Sequence, residues 1–290
     1  MMKNSIIQIS FQTWLESIFP SLEDRISVQK FHIFPESFLE YEYHQKTYQN
    51  IPNVFYISDQ LVFSSPWSLD FSNFNSLEEL TIEGQKLISL NLSSNLRLKK
   101  LRVPNNLLRI IEWPNFNPET ELPTLKEIIL VNNNLTGRDL SIFSNFPNLT
   151  SLFIGTNDRQ RIEQDIYNRW TGSLEKISNL VNLQHLDINA TDVFTGLEHL
   201  PTRKLVHFTF GIMGREKAGV KRLQNKLKRV LNRTFDKVET IDDWAAEGTF
   251  PTDVQRSFAK SEEKINLIRQ WQGKWKEEHP PQAQIEVWKH

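Results

Sequence analysis

Cysteine is absent from the whole 290-residue chain, which excludes a disulfide framework, a thiolate nucleophile and a zinc–thiolate centre. Long apolar runs are missing too: nothing approaches the roughly 20 residues that a bilayer-spanning helix needs. The opening Met1-Met2-Lys3-Asn4-Ser5-Ile6-Ile7-Gln8 lacks the apolar core and small-residue cleavage site of a secretory leader. The expected location is therefore cytoplasmic, with the nucleus as the other option. No charge of either sign dominates, since the formal net charge is −1 and the pI is near 6.7, and this argues against wholesale coating of nucleic acid. With 39% hydrophobic residues, the chain can bury a sizeable core as one extended domain or as one domain with an appendage.

Between Leu77 and Phe210 one pattern returns, in which an apolar residue is followed by two variable positions, an apolar, one variable position and a third apolar. Its six copies are Leu77-Leu80-Ile82, Leu98-Leu101-Val103, Leu125-Ile128-Leu130, Leu149-Leu152-Ile154, Leu183-Leu186-Ile188 and Leu205-Phe208-Phe210. An amide follows the first four, at Gln85, Asn106, Asn133 and Asn157. This is the leucine-rich-repeat pattern, in which each strand buries two side chains against the neighbouring coil and the amide satisfies turn backbone that has no ladder partner. A further triplet, Leu87-Leu90-Leu92, predicts a short strand on the return side. In the longest interval, Ile162, Ile166 and Trp170 recur every four residues, predicting a helix on the convex side.

Several of these segments resemble the short-coil leucine-rich-repeat proteins of arbuscular mycorrhizal fungi. They are the run 90–95, the segment 130–136, the insertion 162–174, and the stretch 186–192 with its continuation through 196–201. Phe11 to Arg25, with Trp14-Leu15 and Phe19-Pro20, is similar to the helix that opens those proteins. The chain departs from them at Ile82, Val103 and Leu130, where the family often has Cys, and in an apparently inserted aromatic segment 34–67. The resemblance implies an intracellular, non-enzymatic interaction domain with no assigned ligand.

The expected architecture is an α/β leucine-rich-repeat solenoid in three parts. Residues 1–70 form an N-terminal cap of helix and hairpin, 71–213 the repeat array, and 214–290 a helical C-terminal region. In the cap, the alternation of Val54 and Tyr56 with Leu61 and Phe63 around Ser58-Asp59-Gln60 predicts a hairpin. Its aromatics are expected to pack within the cap, the alternative being exposure to a partner. Residues 215–237 hold nine Lys or Arg against Glu216 and Asp236, on a helix whose stripe is Val220, Leu223, Leu227, Val230 and Leu231. That helix is expected to cap the open end at Leu205-Phe208-Phe210. In a rival reading, Lys221, Arg222, Lys228 and Arg229 contact phosphate on nucleic acid or an anionic membrane. A second helix follows Pro251, with Val254, Phe258, Ile265, Ile268, Trp271 and Trp275 on one face.

Strand alternation places the variable repeat positions on the concave face. Ile129, Val131 and Phe153 then form an apolar centre, flanked by Lys100 and Arg102 on one side and by His185 and Asp187 on the other. This is the anatomy of a protein-recognition surface, in which Phe153 is the expected anchor and Lys100, Arg102 and Asp187 are rim charges. A loop folded over these residues is the alternative. His185, His207 and Asp187 lie close together, but they lack a third strong metal ligand and any nucleophile beyond Thr209. Gly214-Arg-Glu-Lys-Ala-Gly219 mimics a phosphate loop, yet Val220 and Lys221 stand where Lys and Ser or Thr are needed. No enzymatic activity, cofactor or small-molecule substrate is expected, and the partner is expected to be a protein.

Overall fold

The computed structural model describes residues 10–40, 42–57, 67–114, 124–234 and 254–278. Two short helices open it, α1 (Phe11–Ile18) and α2 (Leu22–Ser27). Ser10 caps α1 by accepting the Thr13 N–H, and Ser21 and Asp24 form a reciprocal capping box on α2. Phe11 and Leu15, one turn apart, bury the inner face of α1.

The chain then alternates between two strand systems. The concave system comprises β1 (Lys30–Pro35), β2 (Val54–Ile57), β4 (Glu79–Ile82), β6 (Lys100–Arg102), β8 (Glu127–Ile129), β9 (Ser151–Phe153), β11 (His185–Asp187) and β13 (His207–Thr209). These eight strands form one parallel sheet in the order β13-β11-β9-β8-β6-β4-β1-β2. Leu80, Leu101, Ile128, Leu152, Leu186 and Phe208 stand directly opposite one another along it, so the middle apolar of every copy joins one buried row. On the return side, β3 (Trp67–Asp70), β5 (Leu87–Asn91) and β7 (Ile110–Glu112) form a second parallel sheet. A third pairs β10 (Thr171–Ser173) with β12 (Asp192–Thr195). The expected return-side strand at Leu87-Leu90 is β5. This two-sided coil stack is an α/β leucine-rich-repeat solenoid with a helical C-terminal part.

The ladder starts before residue 71. Phe31 pairs with Leu80 and Ile33 with Ile82, so Val28-Phe31-Ile33 follows the same spacing as the six copies. What hid it in the sequence is its surroundings, because Phe replaces Leu and Phe34-Pro35 replaces the amide turn. The segment after β1 passes through a 3-10 turn (Glu36–Glu40) and α3 (Glu42–Tyr48), then adds β2 outside β1 in parallel. One edge of β2 is thus taken by β1; the second arm of the expected hairpin, Leu61 and Phe63, lies outside the described residues.

Asn106 donates to the Ile82 and Pro104 carbonyls and accepts the Gln85 and Leu87 N–H groups. Asn133 repeats this one coil later, donating to Val103 and Leu130 and accepting from Leu108. In the next coil the amide is Asn168 and not Asn157: it donates to Leu130, Ile154 and Gly155 and accepts the Leu135 N–H. The residue before the amide takes a left-handed conformation at Gly84 (φ 67), Asn105 (φ 58) and Asn132 (φ 56), which glycine and asparagine adopt most readily. Residues between Asn157 and Asn168 loop out at the rim. Their helix, α4 (Arg159–Glu163), is only five residues long, starts earlier than the Ile162 periodicity predicts, and gives way to Asp165 at φ 62.

At the C-terminal end, the role expected of the basic helix belongs to the other one. That helix, α6 (Val254–Glu278), covers β13 with Ile265, Ile268 and Trp271 buried. Arg269 donates to the Thr202 and Leu205 carbonyls, and Gln272 to those of Leu197 and Leu200 while accepting the Thr202 hydroxyl. These carbonyls belong to the last coil, which has no further coil to satisfy it. The basic helix α5 (Val220–Thr234) packs beside it, burying Val220, Leu223 and Leu227 against β12 and α6.

Candidate functional site

The concave face divides into a covered third and an open strip. Over β1 and β4, the 3-10 turn and α3 lay rings directly on the sheet. Phe34 meets His44 at 4.5 Å and Tyr48 at 4.8 Å, and Tyr48 meets His32 at 5.3 Å. Phe34 and Tyr48 thus pack over the strands themselves, while Tyr41, Tyr43 and Phe63 lie outside the described set.

From β6 to β13 the face is open, and its charges are largely neutralised by one another. Lys100 pairs with Glu79 at 3.4 Å, and Glu79 also holds Lys30 at 3.1 Å. Arg102 pairs with Glu127 and hydrogen-bonds Tyr48. Two residues expected to steer a partner are therefore engaged across the strands. Asp187 is corrected more strongly: it is 3% exposed, accepts from the Asn157 amide and the Asn189 N–H at 2.8 Å, and also meets Thr209. Burial pushes its carboxyl above the usual range despite those bonds. Gly155 makes room for it, since a Cβ there would lie 2.2 Å from Asp187 Oδ1. Asp187 is an internal tie between coils and not a rim charge.

The apolar centre is narrower than the column order implies. Val131 is 8% exposed and belongs to the packed rim, whereas Ile129 and Phe153 remain half-exposed. Phe153 lies nearly parallel to two imidazoles, His185 at 6.3 Å and 21° and His207 at 6.4 Å and 25°. Burial lowers the His185 pKa against the pull of Glu127. Burial, then the Lys264 and His185 charges, push His207 down to about 4. Both rings are thus neutral near pH 7, and the strip presents a Phe-His-His aromatic shelf beside Ile129. His207 is the member that the expected partner-binding set omitted; its pairing with His185 across β11 and β13 was visible in the column order.

Ser151 Oγ sits 3.1 Å from His185 Nδ1, which resembles a nucleophile and base. The surrounding N–H groups are spent, however: Ser151 donates to Lys126, Ile154 to Asp187 and His185 to Thr150. No donor pair is left there to hold an oxyanion. Among the described residues, no group of three His, Asp or Glu is arranged to hold a metal ion.

The basic helix is partly neutralised as well. Lys221 pairs with Glu216 at 2.6 Å, Lys226 with Glu198 at 2.7 Å, and Arg215 with Asp192 at 2.8 Å. Arg222 lies over the Phe194 ring and Arg229 is exposed; Lys228 lies in α5, with its side chain outside the described set. In the glycine loop, the Gly219 N–H donates to Asp192 Oδ1, and a Cβ at Gly219 would strike the Asp192 backbone at 2.4 Å. That N–H faces a carboxylate, the opposite of what a phosphate cradle needs.

No protein-family model matches this chain, and no curated protein matches it. Similar solved structures include the LRIM1/APL1C complex, at 17% identity and a TM-score of 0.40, covering 63% of this chain and 32% of that one. The PEPR1–AtPEP1 structure is 19% identical with a TM-score of 0.38, covering 64% and 25%. A Leptospira interrogans LRR protein is 14% identical with a TM-score of 0.37, covering 71% and 59%. The chain thus spans less than two thirds of each of these proteins, and its fold is read from its own strand register and asparagine ladder.

Proposed function

We propose that this chain is a non-enzymatic protein-binding module whose recognition surface is the open concave strip between β6 and β13. The observation that supports it is the half-exposed Phe153, set against neutral His185 and His207 on strands β11 and β13. Because the neighbouring cations are paired, affinity comes from burying this aromatic shelf and Ile129, and charge contributes register at most. The partner is a protein offering an apolar or aromatic side chain. On this reading it works inside the cell, as the resemblance to the short-coil fungal proteins implies.

Docking of α5 on phosphate has less in its favour, because Lys221, Lys226 and Arg215 already have acidic partners.

The test is affinity capture from native lysate, then titration of the captured protein against Phe153→Ala and Lys100→Ala. Phe153→Ala should keep the fold and lose about thirtyfold in affinity, the equivalent of about 2 kcal/mol. Lys100→Ala should bind within about threefold of wild type. Wild-type affinity in Phe153→Ala would move recognition off this face.

A further inference from the structure

The return-side sheet turns Leu69, Leu90 and Ile111 into the core, and its other face meets α1 in a groove of about 400 Å³. Ser68 and Ser89, bonded to each other, pave its floor, and Gln12 of α1 closes the near side by accepting the Asp70 N–H at 3.0 Å. Glu16, Asp70 and Glu112 line the groove and are exposed, as is Ile110, at 42%. None of the described residues lining it is basic, and none of the three carboxylates has an ion-pair partner among the described residues.

The same chain carries the opposite sign at the other end of the coil stack. On α5, Lys221 and Lys226 are held in ion pairs, whereas Arg222 and Arg229 are exposed and meet no carboxylate among the described residues. Two helical turns separate these arginines, so they share one face of α5 about 10 Å apart along its axis. Asp70, Asn91 and Glu112 stand opposite one another on β3, β5 and β7, which sets the two carboxylate positions two strand spacings, also about 10 Å, apart. Each surface also has an exposed apolar side chain beside one of its charges: Ile110 next to Glu112, and Phe194, 40% exposed, under Arg222.

We propose that the groove holds α5 of a second copy of this chain, laid across β3, β5 and β7 with Arg222 on Glu112, Arg229 on Asp70 and Glu16, and Phe194 against Ile110. Each chain has one groove and one helix, so a twofold axis makes the contact twice and closes the dimer. Exposed ion pairs contribute little singly and are screened by salt, so the dimer is weak and depends on ionic strength. The contact uses no residue of the concave strip.

Sedimentation equilibrium of the full chain at pH 7.5 should show a monomer–dimer equilibrium that weakens at least about tenfold between about 20 mM and about 0.5 M salt. Glu16→Lys with Glu112→Lys should remove the dimer, and so should Arg222→Glu with Arg229→Glu; Asp70 is kept because it caps the turn at Ser72. An equimolar mixture of the two double variants should associate again, since each reversed surface then meets its complement. Phe153→Ala should dimerise as wild type does. The proposal is overturned if wild type is monomeric at low salt, if either double variant still dimerises, or if the mixture does not. A wild-type monomer that binds hexalysine, and loses it in the groove variant, overturns it in favour of a basic segment of another protein. Should a double variant misfold, cysteine decides, because the chain has none of its own. Ile110→Cys mixed with Asn225→Cys under mild oxidation should give a disulfide-linked dimer at low salt and not at high salt, and its absence at low salt overturns the proposal.

Discussion

Asn168 holds the Leu130 carbonyl and the Leu135 N–H of one coil and the Ile154 and Gly155 carbonyls of the next, whereas Asn157, at the spacing the repeat favours, ties Asp187 to Asn189. The difference lies in what each side chain would leave unpaired. Asn168→Ala strands buried backbone groups with no water in reach, and an expected loss of about 3 kcal/mol or more should appear in chemical denaturation. Asn157→Ala takes one bond from Asp187, which keeps the Asn189 N–H, and a smaller loss of about 1 kcal/mol is expected. Equal effects of the two would mean that the insertion does not displace the amide.

At the scale of elements, α6 ends the solenoid by chemistry as much as by shape. Apolar burial of Ile265, Ile268 and Trp271 covers the sheet edge, but Arg269 and Gln272 also replace the donors a further coil would have supplied. Arg269→Ala with Gln272→Ala should lower stability by about 2–4 kcal/mol and speed exchange in β13 before β4, since a solenoid frays from an unsatisfied end. Loss spread evenly over both ends would contradict that role. The amphipathic period located both C-terminal helices, yet periodicity says only that a helix has an apolar face; which helix lies on β13 is set by the donors each can offer the last coil.

For the whole molecule, stacking makes each coil the floor of the next, so failure in the middle spreads. Leu152→Asp puts a carboxylate into the continuous buried row between Ile128 and Leu186, and the array should lose its circular-dichroism signal and cooperative melt. Acid should act on the same stack through His207, held at about 4 by burial and then by the Lys264 charge of α6. Its folded pKa lies below the unfolded value of about 6.5, so stability is full above that pH and falls as pH drops towards 4, by about 3 kcal/mol at most. Asp187, raised by burial, opposes this, because protonation relieves its buried charge. The melting temperature should therefore be flat above pH 6.5 and decline below it, less steeply in His207→Phe.

The repeat, the inward row, the core amides Asn106 and Asn133, and the membership of the concave face were all legible in the sequence. They rest on local spacing, because a two-residue strand period leaves one choice of face once the apolar positions are known. Tertiary structure alone decided the rest: β1 joining the ladder, Asn168 displacing Asn157, Asp187 and Val131 going inside, and α3 covering one end of the face while α6 closes the end of the coil stack. Each of these depends on a contact between residues far apart in the chain, such as Tyr48 on His32, Asp187 against Gly155 or Gln272 on Leu197. A spacing rule records which side of a strand a residue takes, but whether that side meets water is settled by segments that arrive from elsewhere in the chain.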